Sequence, residues 1–77
     1  MNQFIGSMTH KEELKYLKAL SANLKKFRNA KGITQADCGV DERTIRRIEN
    51  ENFNPSFLTL VQISEELRIK LSELLEF

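Results

Sequence analysis

Leu14, Leu17, Leu20, Leu24 and Phe27 recur every three or four residues, the spacing that lines one side of an α-helix, while Lys11, Lys15, Lys18, Lys25 and Lys26 take its other faces. Just upstream, Thr9 and Glu12 form a capping box, in which hydroxyl and carboxylate each satisfy a backbone N–H left without a partner at a helix start. A long first helix is therefore predicted from near His10, stopped by Gly32, because glycine enters the left-handed conformation there without a Cβ clash. Thr34 is the next N-cap candidate, and Gln35 to Cys38 have room for about one turn before Gly39 ends it. Asp41 is expected to cap a third helix whose Ile45 and Ile48 face inward, with Val40 placed to staple against Ile45 or its neighbours. Glu42, Arg43, Arg46, Arg47 and Asn50 are left on its outer face. The stretch NENFNPS, residues 50–56, reads as a loop, after which Ser56 is a cap candidate and Leu58, Leu60, Val61, Ile63 and Leu67 supply the apolar positions of a fourth helix. Ile69 and Leu71 lead into a last short helix over 72–76, with Leu74, Leu75 and Phe77 apolar. The only alternating stretch, Leu67 to Leu71, is too short for a strand, so the pattern predicts an all-α fold of five helices.

Composition narrows the class. With 77 residues, 40% of them hydrophobic and one proline, the chain has room for one small core and too many apolar groups to stay disordered. The first eight residues are expected as a flexible leader and 9–77 as the domain; MNQFIGS is either an appended segment ahead of a natural start at Met8 or a natural extension. Cys38 is a lone cysteine and cannot form an internal disulfide, which points to a reducing, cytoplasmic setting. No apolar run approaches the roughly 20 residues that a membrane span needs. Cys38 and His10 lie far apart, with no glycine-rich phosphate loop, paired metal-ligand spacing or nucleophile motif around them. No enzymatic activity, cofactor or metal is therefore expected: His10 reads as a first-turn surface residue and Cys38 as a small core residue.

The net charge of +1 conceals an asymmetry, since Thr9 to Lys31 carries seven Lys or Arg against two Glu while the rest is acidic. That stripe permits nucleic-acid binding without requiring it. The third helix is more informative. An arginine fork can donate two hydrogen bonds to guanine O6 and N7, and Arg43, Arg46 and Arg47, at offsets of three and four, share one side of a helix that fits the major groove. Glu42, Glu49 and Glu51 partly cancel their field.

Several segments in order resemble one family. ITQ at 33–35, GVDERTIRRIE at 39–49, NPSFLTLVQIS at 54–64 and LSELL at 71–75, with LKKFRNAKG at 24–32 ahead of them, are similar to the lambda-repressor-like helix-turn-helix domain of Xre and Cro type regulators. The resemblance spans about Leu20 to Leu75. It implies a sequence-specific regulator of transcription that binds double-stranded DNA, an inverted repeat, as a homodimer. It would place Glu42, Arg43, Arg46 and Arg47 nearest the base edges, and Thr34, Gln35, Asn50 and Asn52 against phosphates. Arg28 and Glu49 match a structural ion pair between the first helix and the end of the third.

The chain departs from the family at one place. Between the glutamine that opens helix two and the glycine of the turn the family usually has about seven residues, roughly two turns, whereas here Ala36, Asp37 and Cys38 are only three. Losing four residues shortens the helix by about 6 Å but rotates the next helix by only about 40°. Three outcomes are open: the domain tightens around a one-turn helix two, the helix melts into a strained linker, or segments are exchanged with a second chain between helix one and the rest. Two other readings accompany DNA recognition. One is an antitoxin-like module that holds a partner protein through helix one and Leu74, Leu75 and Phe77. The other is a deletion variant, inherited or engineered, with impaired DNA binding.

Overall fold

The structure is a computed structural model and describes residues 8–77; all of the expected leader except Met8 lies outside the described residues. The elements are α1 (His10–Ala30), a 3-10 turn (Gln35–Asp37), α2 (Glu42–Asn50), α3 (Phe57–Leu67) and α4 (Leu71–Leu74). Five α-helices were expected, and the described residues form four, without a strand. The difference lies at the shortened segment. With three residues between Gln35 and Gly39, the chain closes the tighter i→i+3 bond, Asp37 N–H to the Thr34 carbonyl at 3.1 Å, instead of a turn of α-helix.

α1 begins as its capping box dictates. The Glu12 N–H donates to Thr9 Oγ1 at 3.1 Å, and the Thr9 N–H donates to Glu12 Oε1 at 2.9 Å. The hydrogen bonds that the carboxylate accepts from the Thr9 N–H and hydroxyl hold the Glu12 carboxyl below its ordinary value. At the other end, Gly32 has a φ of 65° and donates its N–H to the Asn29 carbonyl. Ser56 caps α3 through its hydroxyl, which accepts the Thr59 N–H at 3.2 Å. Two expected caps are different. Asp41 makes no side-chain cap; its backbone carbonyl alone receives the Thr44 and Ile45 N–H groups. Thr34 turns its hydroxyl to the Asp37 carboxylate, at 3.0 Å.

Leu20 and Leu24 of α1, Cys38, Ile45 and Ile48 of α2, Ile63 and Leu67 of α3 and Leu74 of α4 make one buried cluster. Phe27, Ile33, Val40, Phe53, Leu60, Ile69 and Leu71 close its rim. Leu58 does not join it and is 69% exposed, because five residues before Ile63 is about 140° round the helix. The last helix spans Leu71–Leu74 and not 72–76; its start is fixed by the Glu73 carboxylate, which accepts the Lys70 N–H at 2.9 Å. Leu75 and Phe77 remain exposed, the Phe77 ring lying 6.0 Å from that of Tyr16. Asn23, in the second half of α1, holds this end of the chain by donating from Nδ2 to the carbonyls of Leu74 (3.0 Å) and Glu76 (2.9 Å).

The short turn is seated by its neighbours. Cys38 is fully buried, its thiol donating to the Thr34 carbonyl at 3.4 Å. Gly39, at a φ of 84°, lies so close to α3 that an added Cβ would meet Glu66 Cβ at 3.0 Å and the Gln62 carbonyl at 3.2 Å.

This packing sets three measurable outcomes. Gly39→Ala should cost about 1–3 kcal/mol in a urea titration, since it combines a left-handed backbone with a collision against α3. Gly32→Ala should cost only about 1 kcal/mol, because open space surrounds that position and the backbone strain acts alone. Burial pushes the Cys38 thiol above its ordinary value of 9.0. A raised value in the folded state means that the group's contribution is complete below about pH 9 and is lost as the pH climbs further. The stability difference between the wild type and Cys38→Ala should thus be constant at neutral pH and narrow in alkali, as read from urea midpoints against pH.

Candidate nucleic-acid interface

α2 presents two faces of different chemistry. Ile45, Ile48 and Glu49 point into the protein, and Glu42, Arg43, Arg46, Arg47 and Asn50 are exposed. What fixes the roll of this helix is Glu49, whose side chain is 1% exposed. Arg28 of α1 grips it with two parallel bonds, Nε to Oε2 at 2.8 Å and Nη2 to Oε1 at 3.0 Å. Gln35 adds a third through Nε2 to Oε1 at 3.0 Å. The Glu49 backbone carbonyl receives the Ser21 hydroxyl at 2.7 Å, so α1 holds this residue by two separate groups. Arg28 also donates from Nη1 to the Ile33 carbonyl at 3.1 Å and so ties down the link leaving α1. Its hydrogen bond to Glu49 raises the Arg28 guanidinium above its ordinary value against the opposing effect of burial.

The outward arginines differ among themselves. Arg43 and Arg46 have no ion-pair partner among the described residues. Arg47 is engaged within the chain: its guanidinium carbon lies 4.1 Å from the centroid of the Phe53 ring, and its Nε is 3.7 Å from Glu51 Oε1. These pairings change the electrostatics of the face. Of the three glutamates that oppose the arginines in sequence, Glu49 is buried and matched by Arg28, and Glu51 is matched by Arg47. Only Glu42 stands beside Arg43 and Arg46 without such a partner among the described residues.

The four positions assigned to phosphate lie on different segments. Thr34 and Gln35 open the 3-10 turn, Asn50 closes α2, and Asn52 comes after it in a left-handed conformation with a φ of 53°. A turn of three residues carries little macrodipole, so the pull that a longer helix two would exert on an anion is much reduced. The Gln35 amide nitrogen is already committed to Glu49.

Three features here were missed in the sequence. Ser21 interrupts the apolar stripe of α1 next to Leu20, and a small polar residue in such a place is the mark of a buried hydrogen bond. Gln35 and Phe53 carried no comparable mark, since their partners come from a turn and a loop that have no periodicity.

A capped long helix, a tight turn and a short helix with an outward arginine face, closed by two further helices, is a helix-turn-helix arrangement. A family model described as Helix-turn-helix matches residues 24–74, and the chain belongs to this lambda-repressor-like, Xre-type family. It is a family of DNA-binding domains. No curated protein and no solved structure matches the chain. No helix among the described residues is long and apolar enough to cross a membrane.

Arg28→Ala would leave a buried carboxylate without its counter-charge and should destabilise the domain by about 3–5 kcal/mol in denaturant unfolding. Replacing both partners, as Arg28→Met with Glu49→Leu, should recover much of that loss, because the penalty belongs to the orphaned charge.

Proposed function

We propose that the protein is a sequence-specific transcriptional regulator that reads double-stranded DNA as a homodimer, with α2 in the major groove. The observation that carries this reading is the contrast across α2: one face locked by Glu49, the other free to present Arg43 and Arg46. In this reading Arg43, Arg46 and Arg47 donate to guanine edges and Glu42 accepts from a cytosine amine. Asn50, Asn52, the Thr34 hydroxyl and the backbone at Gln35 meet phosphates, with exposed Lys25, Lys26 and Lys31 adding attraction that depends on salt. The Thr34 to Asp41 connection closes around buried Cys38 with its turn hydrogen bond made, so the short segment does not by itself require an exchange of segments.

Selection from a random duplex pool should enrich an inverted repeat whose half-site centres are about 10 base pairs apart. On that sequence Arg43→Ala and Arg46→Ala should each cost about 1–3 kcal/mol and relax the preference at one base position. A loss that is equal on every duplex reassigns that arginine to phosphate.

A second reading has one observation in its favour. Met8, Tyr16, Leu75 and Phe77 are exposed, with the Tyr16 and Phe77 rings in contact range. Such a patch suits a partner protein held through α1 and the end of α4. A folded protein that enriches no duplex supports this reading over the first.

A further inference from the structure

We infer that Phe53 is a positioning residue for DNA reading: its ring holds the plane of the Arg47 guanidinium before DNA arrives. The inference rests on the DNA-binding function proposed above. Phe53 lies outside α2, yet two features return it to that helix. Asn52 reverses the chain at a φ of 53°, and the Phe53 N–H then donates to the Arg47 carbonyl at 3.3 Å, an acceptor shared with the Glu51 N–H at 2.9 Å. The ring packs against the buried cluster and is only partly exposed, so its orientation is set from below. Arg47 covers it, with the guanidinium carbon 4.1 Å from the ring centroid.

A cation–π contact engages the charge of the guanidinium and occupies no hydrogen-bond acceptor, so the group keeps its N–H donors for one. Glu51 approaches Nε at 3.7 Å and in an exposed position, a weak contact beyond hydrogen-bond distance, and the Nη groups make no hydrogen bond among the described residues. Arginine side chains are long, and ordering one at an interface opposes binding. The platform removes part of that cost in the free protein, whereas Arg43 and Arg46 have no aromatic ring over them among the described residues. Arg47 is thus the preorganised member of the set.

The test uses the full chain and the duplex it selects. In the free wild type, the Arg47 Cδ protons should resonate upfield through the ring current of Phe53, and Phe53→Leu should abolish that shift. Phe53→Leu should lower DNA affinity about 3- to 10-fold, and Phe53→Tyr, which keeps an aromatic face, should stay close to wild type. In an Arg47→Ala background, Phe53→Leu should have no further effect. An equal loss in both backgrounds would show that Phe53 only supports the fold and would overturn the inference. So would an unshifted Arg47 in the wild type. A wild type that selects a duplex and is indifferent to Phe53→Leu overturns the positioning role alone, whereas a folded wild type that selects none overturns the DNA reading as well.

Discussion

A carboxylate buried in a small apolar core must be matched, and the Glu49 side chain imposes that condition on the rest of the domain. Removed from water, it is tolerable only with a counter-charge and filled lone pairs. Arg28 supplies the charge and two bonds, and Gln35 a third. Because these donors come from α1 and from the short turn, satisfying one group sets the position of three elements. The helix bearing Arg43 and Arg46 is therefore oriented by a directional, polar contact as well as by the packing of Ile45 and Ile48, which alone would allow it to roll.

The same contact accounts for how the domain accommodates so short a second helix. A longer helix would lay an apolar side against α2; here the segment contributes one small buried residue, Cys38, and Gly39 lets the turn press directly on α3. Gln35 still reaches Glu49 because it sits at the near end of the segment, before the missing turn. What the short segment gives up is its field. Three residues of 3-10 helix align few peptide dipoles, so under the proposed DNA reading phosphate would be held by hydroxyls, amides and the lysines of α1.

Where a feature depends on neighbours along the chain, it could be read from the chain. The Thr9 and Glu12 cap, the apolar stripe of α1 and the inward pair Ile45 and Ile48 follow from helical spacing, and the arginine face of α2 is what remains. The order of several short motifs was enough to indicate the family. Sequence spacing failed where geometry across the fold decides: Asp41 looks like a cap but leaves that role to its carbonyl, and Leu58 looks like core but lies on the wrong side of α3. At the candidate site the pattern identified which side chains face outward. It did not separate Arg47 from Arg43 and Arg46, because the partner of Arg47 arrives through a left-handed residue in a loop.

α4 has four residues, too few to persist as a helix alone, since nucleation costs more than so short a segment returns. Its persistence is borrowed from α1 through the single amide of Asn23 and from the core through Leu74. α1 and the C-terminal end of the described chain, remote in sequence, are therefore coupled. The hydrogen bond from the Leu75 N–H to the Leu71 carbonyl, at 3.1 Å, depends on a tether from α1 as well as on its own short helix. The opening of this last helix is thus coupled to α1, although length alone would place it among the first elements to fray.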